Sequence, residues 1–294
     1  MTTTADEFET HRPRLFGLAY RLLGSAADAE DAVQDAYLRF SGADRTVIDQ
    51  PAAWLAKVVT NLCLNRLTSA RARRERYTGS WLPEPVLTSD GTLGPLESAE
   101  RRDEVSLALL VLLERLTPTE RAVYVLREAF AYGYREISGV LDLTETHCRQ
   151  LHRRAARRVA VSEARFESAP EQRAGLVESF LAAARDGDLA GLEKLFAADV
   201  TWWSDGGGKV SAALRPIEGR EKVLRLVLRG WPRFAEGLDF APAEVNGSPA
   251  LLALSGETLV GTVSFDFRGE AVTGVRVVMN PEKLEFAGRQ LVDR

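Results

Sequence analysis

The stretch Asp28-Ala-Glu-Asp-Ala-Val-Gln-Asp-Ala-Tyr-Leu-Arg-Phe40 decides how the first half of the chain is read. Ala29, Ala32, Val33, Ala36, Tyr37 and Phe40 follow the i, i+3, i+4, i+7 spacing, which gathers apolar groups on one side of a helix. Asp28, Glu30, Asp31, Gln34, Asp35 and Arg39 occupy the remaining positions. By itself the pattern is an acidic, solvated helix on a small core. Its neighbours make it more informative.

Upstream, Phe8 to Leu23 is apolar-periodic, and Gly24-Ser25 breaks it. Downstream, the polar run 41–50 leads to Pro51, a favoured first helical residue. A third helix then passes through Trp54, Leu55, Val58, Val59, Leu62 and Leu67 into an arginine block, Arg66, Arg71, Arg73, Arg74 and Arg76. Residues 79–100 hold three prolines and three glycines and read as a linker, with Trp81 and Leu82 as unexpected apolar members. Those two lie either on a neighbouring domain or free in the linker.

Residues 101–165 turn helical again. Leu107 to Leu116 is one helix, and Thr117-Pro-Thr-Glu120 restarts the chain with a threonine cap, an early proline and an acidic first turn. Tyr134 to Leu141, a turn at Asp142-Leu-Thr144, and Glu145 to about Val161 give the spacing of a helix-turn-helix. Cys148, Leu151 and Ala155 face the partner helix, which turns Glu145, His147, Arg149, Gln150 and Arg153 outward near the helix start. Arg154, Arg157 and Arg158 extend the basic face.

The formal net charge of −4 would be odd for a polyanion-binding chain until it is mapped. Residues 167–294 carry 15 Lys and Arg against 19 Asp and Glu, so the whole acidic excess lies there. Residues 1–166 are balanced, with arginines concentrated in two separate blocks, which suits two DNA contacts. Cys63 and Cys148 make no disulfide framework, and with His11, His147 and His152 they make no metal constellation, so neither metal nor cofactor is expected. No signal peptide and no apolar run near eighteen residues is present, so the expectation is a cytoplasmic protein without a membrane contact.

After Glu167-Ser-Ala-Pro170 the pattern changes. Leu176–Ala184 and Leu189–Phe196 read as helices. Strands are expected near Val200–Ser204, Val210–Leu214, Leu238–Val245, Ala250–Leu254, Leu259–Phe267 and Ala271–Met279, with a helix at Gly219–Phe234 among them. Helices followed by a run of strands argue for an α+β domain.

The first 165 residues resemble regions 2 and 4 of a small, extracytoplasmic-function (group IV) RNA polymerase sigma factor. Phe180-Leu-Ala-Ala-Ala-Arg-Asp-Gly-Asp-Leu189 and Leu195-Phe-Ala-Ala-Asp-Val-Thr-Trp202 resemble a SnoaL-like domain of the nuclear-transport-factor-2-like cone fold. Trp81-Leu-Pro-Glu-Pro85, Asp205-Gly-Gly-Gly-Lys209 and Asn280-Pro-Glu-Lys-Leu284 resemble marks of the subgroup in which the two are fused. The resemblance implies a multidomain protein. Two all-α sigma domains occupy 1–78 and 101–165 around a linker at 79–100, and a second linker at 166–173 leads to an α+β cone at 174–294.

It also implies function: binding core RNA polymerase, recognising −10 and −35 promoter elements and starting transcription, under control in cis by the C-terminal domain. Asp28, Glu30, Asp31, Gln34 and Asp35 would dock on the polymerase. Trp54 and Asn61 stand where promoter-melting residues are placed, i and i+7 on one face, with Arg66, Arg71, Arg73 and Arg74 holding phosphates. From the residues alone, Trp54 reads equally as core and Asn61 as surface. Glu145, His147, Arg149, Gln150 and Arg153 would meet −35 base edges, and Arg154 and Arg157 phosphates. His147 and Cys148 depart from the commoner recognition-helix pattern. Trp81, Pro83, Asp205, Gly206, Gly207, Gly208, Lys209, Asn280 and Pro281 would form a regulatory contact; the bland reading is a flexible hairpin and a frayed tail. A small ligand could sit in the cone, and no obligate anti-sigma factor is expected. The alternative is a cyclase- or isomerase-like enzyme fused to a DNA-binding module. Against it, the C-terminal part holds no histidine, and Asp199, Asp205, Asp266 and Glu270 have no evident catalytic partner.

Overall fold

The computed structural model describes residues 3–44, 46, 48–74, 77–89, 105–160 and 170–292. The chain forms two compact units. The first comprises 1–75, 90–104 and 109–161, and the second 76–89, 105–108 and 162–294.

The first unit is helical. Helix α1 (Thr4–Leu23) opens on a capping box between Thr3 and Asp6 and stops at Gly24, whose φ of 65° is the left-handed conformation glycine adopts freely. Ser25 caps α2 (Ala26–Ser41) through the Asp28 amide. Helix α3 (Pro51–Arg74) follows. The apolar stripe of α2 is buried as its spacing predicts, at Ala29, Ala32, Val33, Ala36 and Phe40, and α2 packs on α1 and α3, the Phe40 ring meeting Phe8 of α1 and Trp54 of α3. Helix α4 (Leu107–Leu113) is shorter than expected and ends in a turn before Leu116.

Thr117 and Glu120 form a capping box at α5 (Pro118–Glu128), with Pro118 in the first turn. Helices α6 (Tyr134–Leu141) and α7 (Glu145–Ala160) are the helix-turn-helix. Its turn is set by Asp142, which takes φ 53°. Within this unit the α1–α3 and α5–α7 groups pack on each other. Arg121 of α5, 3% exposed, donates to the Leu22 and Leu113 carbonyls and pairs with Glu114. Burial lowers its pKa to about 10. Lys57 of α3 donates to the Gly139 carbonyl and to Asp142, both at the helix-turn-helix corner.

The second unit is α+β. Helices α8 (Pro170–Asp186) and α9 (Leu189–Leu195) precede β1 (Phe196–Asp205), β2 (Ile217–Glu218), α10 (Arg220–Phe234), β3 (Asp239–Val245), β4 (Ser248–Ser255), β5 (Thr258–Arg268), β6 (Ala271–Val278) and α11 (Pro281–Val292). The sheet order is β2-β1-β6-β5-β4-β3, with only β1 and β6 parallel. Alternation divides the sheet's residues. Trp202, Val277, Val263, Phe265 and Leu251 take one side and join Phe180, Val223 and Trp231 of the helices in the core. Trp203, Asp205, Arg276, Ser264 and Asp266 take the other.

The expected strand at Val210–Leu214 is absent. The chain turns back at Gly206, whose carbonyl accepts from the Lys209 and Val210 amides, and Val210 and Leu214 stay exposed. Phe196 begins β1 and does not end a helix. Asn280 to Leu284 is no frayed tail, since α11 starts at Pro281.

Candidate functional site

On α2 the core stripe forces the polar residues outward. Glu30, Asp31 and Gln34 are exposed, and Asp28 and Asp35 are half-buried. Leu38, one turn beyond Gln34, is 59% exposed. The sequence reading did not single it out, although it breaks the apolar stripe at an outward position. An acidic face with one bare leucine suits a protein partner better than plain solvent.

Trp54 is half-buried, with its ring 5.9 Å from that of Phe40. Its ring thus packs on the edge of the core while part of the residue stays exposed. Asn61 is half-buried two turns along α3. Arg66 pairs with Asp35 at 2.8 Å, so an arginine expected to hold phosphate is tied to a carboxylate expected to meet the polymerase. Arg71, Arg73 and Arg74 lie on the last turns of α3, and their side chains are outside the described residues, as is all of Arg76.

On α7, Cys148, Leu151 and Ala155 are buried against the rest of the module. His147, Gln150, Arg153, Arg154 and Arg157 are exposed, without a side-chain partner among the described residues. Gln150, Arg153, Arg154 and Arg157 fit i, i+3, i+4, i+7 and form one stripe. Arg149 differs. It pairs with Glu145 at 3.0 Å and lies over the Tyr134 ring.

Arg158 is not part of the stripe. It donates to Glu120 at 2.6 Å and secures the cap of α5. Burial pushes the Glu120 carboxyl up, but the Thr117 amide and hydroxyl and Arg158 pull it down, and the net shift is below its ordinary 4.5. His152 bridges Tyr134 and Glu128, a packing role. Both thiols are buried, and burial raises their pKa, so neither is a ready nucleophile.

The second unit holds a polar knot around Asp205, which is fully buried. Its carboxylate accepts from the Tyr77 hydroxyl, the Leu82 amide at 2.8 Å, the Gly207 amide at 3.1 Å and the Lys283 ammonium at 2.7 Å. Lys283 also donates to the Leu82 carbonyl and lies over the Tyr77 and Trp81 rings, 4.5 and 4.3 Å from their centroids. Asn280 donates to the Tyr77 oxygen, and Lys209 pairs with Glu282. Burial, and then the bond to Asp205, push the Tyr77 phenol above its usual range, so it stays a neutral donor.

The glycine run has a steric reason. A Cβ on Gly207, whose φ is 60°, would lie 2.3 Å from Asn280 Nδ2, and one on Gly206 would lie 2.2 Å from the Val210 carbonyl oxygen. The chain then continues along the same unit. Pro83 and Pro85 are buried, Asn246 binds the Val86 amide and the Val105 carbonyl, and the Gln290 amide brackets the Leu87 backbone.

Thus Trp81, Pro83, the glycine loop and Asn280-Pro281 come together. The chemistry, however, is carried by Tyr77, Lys283 and Asn246, which the sequence reading did not select. Asn246-Gly247 is a recognisable hairpin pair, and Lys283 lies within the quoted Asn280–Leu284 string. Tyr77 gives no local signal. Among the described residues no group of three or more His, Cys, Asp or Glu could hold a metal ion, and no helix is long and apolar enough to cross a membrane.

A family model for Sigma-70 region 2 matches residues 8–73, and one for Sigma-70, region 4 matches residues 106–159. The ECF RNA polymerase sigma factor SigJ of Mycobacterium tuberculosis (strain ATCC 25618 / H37Rv) is 38% identical over 301 aligned positions, covering 98% of this chain and 95% of that one. The probable ECF RNA polymerase sigma factor SigI of Mycobacterium tuberculosis (strain CDC 1551 / Oshkosh) is 33% identical, covering 95% and 93%. The crystal structure of the Mycobacterium tuberculosis extracytoplasmic function sigma factor SigJ matches with a TM-score of 0.76 and 35% identity, over 96% of this chain and 98% of that one.

Proposed function

The chain belongs to the extracytoplasmic-function RNA polymerase sigma factors, and from that premise we propose how its parts divide the work of transcription initiation. A sigma factor partners with core RNA polymerase and promoter DNA, and its relatives here are sigma factors and not enzymes. We assign 1–78 to region 2 and 101–165 to region 4, with linkers at 79–100 and 166–173 and a SnoaL-like domain at 174–294. The outward face of α2 (Asp28, Glu30, Asp31, Gln34 and Asp35) meets the polymerase. The exposed part of Trp54, with Asn61, receives an unstacked −10 base, and Arg66, Arg71, Arg73 and Arg74 hold the backbone beside it. Glu145, His147, Arg149, Gln150 and Arg153 read −35 base edges while Arg154 and Arg157 hold phosphates. We place the protein in the cytoplasm, with the polymerase.

The C-terminal domain controls the sigma regions in cis. One observation carries this reading: residues 77–89, which open the segment joining region 2 to region 4, are folded into the C-terminal unit, with Leu82 held by the Asp205–Lys283 pair. Whatever loosens that knot lengthens the tether between the two promoter-binding modules. Fusion supplies the controlling domain at high effective concentration. A separate anti-sigma protein would add to this control and not replace it.

The test is run-off transcription from a cognate promoter with core polymerase and full-length chain, comparing the parent with Asp205→Asn and Lys283→Met. The expected result is a several-fold change in transcript with unchanged affinity for core. Identical output from both variants would remove cis control. Separately, Asn61→Ala should lower permanganate reactivity of −10 thymines while core binding holds; unaltered reactivity would sink its assignment.

A further inference from the structure

The C-terminal part of the chain carries the acidic excess, yet one helix in it runs the other way. Between Arg220 and Phe234, α10 holds five Lys and Arg and a single acidic residue, Glu221. Its apolar side faces the core, where Val223, Leu224, Val227 and Trp231 are buried. Lys222, Arg225, Arg229 and Arg233 follow i, i+3, i+7, i+11, which sets them in one line on the outer side, and all four are exposed. Arg225 pairs with Glu221 at 2.7 Å. Lys222, Arg229 and Arg233 have no side-chain partner among the described residues.

This is not the pattern of a helix that merely meets water. A solvated face interleaves the two signs, because opposite charges four apart support a helix and like charges four apart weaken it. Arg225, Arg229 and Arg233 are successive like-charge neighbours four apart. Gly230 beside them destabilises the helix further, since glycine in a helix interior loses more freedom than any other residue. No close packing requires it: a Cβ there would meet only Leu226 Cδ1, at an ordinary 3.6 Å. The missing side chain leaves a shallow depression of about 420 Å³, lined by Lys222, Arg225, Leu226, Arg229, Gly230 and Arg233. Both features weaken the helix itself, and both favour the close approach of an extended polyanion.

We propose that this face of α10 binds the phosphate backbone of duplex DNA, a third DNA contact outside both promoter-reading modules. From Lys222 to Arg233 the helix rises about 16 Å, and each strand of a duplex presents a phosphate about every 3.4 Å of its axis, so the row faces about five phosphates. Three of its four cations are arginines, whose planar fork suits phosphate oxygens. The row contains no aromatic side chain to stack an unpaired base and no Asn or Gln to read a base edge, so the partner is a duplex and the contact ignores sequence. A lipid surface fits less well. A helix lying on lipid buries its apolar side there, and that side of α10 already faces the protein core. The contact therefore adds affinity to every promoter alike and leaves the choice among promoters to the sigma regions. It rests on the chain's being a sigma factor and is independent of control in cis.

The test is binding of holoenzyme, core polymerase with the full-length chain, to a promoter duplex and to an unrelated duplex over a range of salt. Lys222→Gln with Arg229→Gln and Arg233→Gln removes the three unpaired cations. The slope of log affinity against log salt should become shallower by about 2–3, since each phosphate contact contributes about 0.9. Affinity at about 50 mM salt should fall at least about tenfold, and equally on both duplexes. The matched control, Arg185→Gln with Lys194→Gln and Arg215→Gln, removes three exposed cations from elsewhere in the unit and should leave the slope as it is. Arg229→Gln alone, the mildest change, should lower the slope by about one. Gly230→Glu keeps every cation and sets a carboxylate among them, so it should weaken both duplexes while thermal stability holds or rises. An unchanged slope in the triple variant and in Arg229→Gln, or an equal change in the matched control, overturns the contact. A triple variant that loses affinity for core polymerase would overturn it in favour of an acidic protein surface. One that loses only binding to phosphatidylglycerol vesicles would overturn it in favour of a lipid headgroup. A parent holoenzyme that does not prefer the promoter to the unrelated duplex would count against the base-reading assignments above, and the slope comparison is unaffected by that failure.

Discussion

The two units share exposed ion pairs but differ in the charge at their centres. In the helical unit, among the described residues, the side chains of Lys57 and Asp142 are 40% and 76% exposed and those of Arg149 and Glu145 57% and 41%, with Arg121–Glu114 as a buried pair. In the α+β unit the two central pairs are dry, with Asp205 and Lys283 at 0% and 8%, and Asp266 and Arg276 at 4% and 6%. An exposed pair contributes about 0–1 kcal/mol and is easily exchanged for another partner. A buried pair adds little net stability against an apolar replacement, but losing one partner strands the other. The first arrangement suits surfaces that must release one contact to make another with DNA or polymerase. The second suits a junction with one defined geometry.

The largest expected effect follows from that contrast. Asp205→Ala leaves Lys283 buried without its carboxylate and should cost about 3–5 kcal/mol in urea-induced unfolding of the second unit. The double change Asp205→Leu with Lys283→Met should recover most of the loss, because no charge is then stranded. If the double variant is as unstable as the single one, packing and not charge holds the knot.

The next effect concerns the recognition helix. Arg153→Ala removes an unpaired arginine, and a lost base contact should cost about 1–3 kcal/mol on the cognate −35 sequence and little on unrelated DNA. Arg149 must first leave Glu145, so Arg149→Ala should cost less than Arg153→Ala. Quantitative binding at two salt concentrations separates base from phosphate contacts, since a phosphate contact weakens all sequences and flattens the salt slope. Equal losses on all sequences would move Arg153 to the phosphate class.

The helical unit also buries the carboxylate of Glu120, at 3% exposure. Glu120→Gln should cost about 1–2 kcal/mol through the lost cap and the stranded Arg158 bond. The pH dependence has a definite sign. The folded pKa of Glu120 lies below its ordinary 4.5, so its contribution is complete above that value and disappears as pH falls through the folded pKa. Thermal midpoints measured between about pH 6 and about pH 3 should fall less steeply for the variant than for the parent. Parallel curves would show that another carboxylate dominates.

These differences also explain what the sequence revealed. The stripe of α2, the Thr117–Glu120 cap and the outward arginines of α7 are local patterns, with partners within a few residues, and periodicity exposes them. The strand pattern from Leu238 onward is local as well. The knot is not. Tyr77 and Asp205 are separated by 128 positions, and Leu82 and Lys283 by 201. Motif strings marked the segments, but no spacing rule pairs a tyrosine with an aspartate that far away. Val210–Leu214 misled for a related reason: its apolar residues suit a strand, while the close turn at Gly206 takes the backbone elsewhere.

The smallest effect tests whether exposed charge has any directing role in the helical unit. Lys57 reaches from α3 to the Gly139 carbonyl and the Asp142 carboxylate, and so joins the part matched as region 2 to the helix-turn-helix corner of the part matched as region 4. Lys57→Met should cost less than about 1 kcal/mol, and the cost should vanish as salt is raised. A promoter asks each module to face DNA, and a bond between them opposes any rearrangement that requires. Releasing it should therefore raise promoter affinity at low salt, by no more than about fivefold, since 1.4 kcal/mol corresponds to tenfold. At high salt the parent and Lys57→Met should bind alike, because screening has already dissolved the bond. The Asp205 knot, being dry, should show no comparable salt dependence. A lower promoter affinity for Lys57→Met would mean that this contact belongs to the DNA-engaged state, and the exposed pair would then be a positioning device and not a restraint.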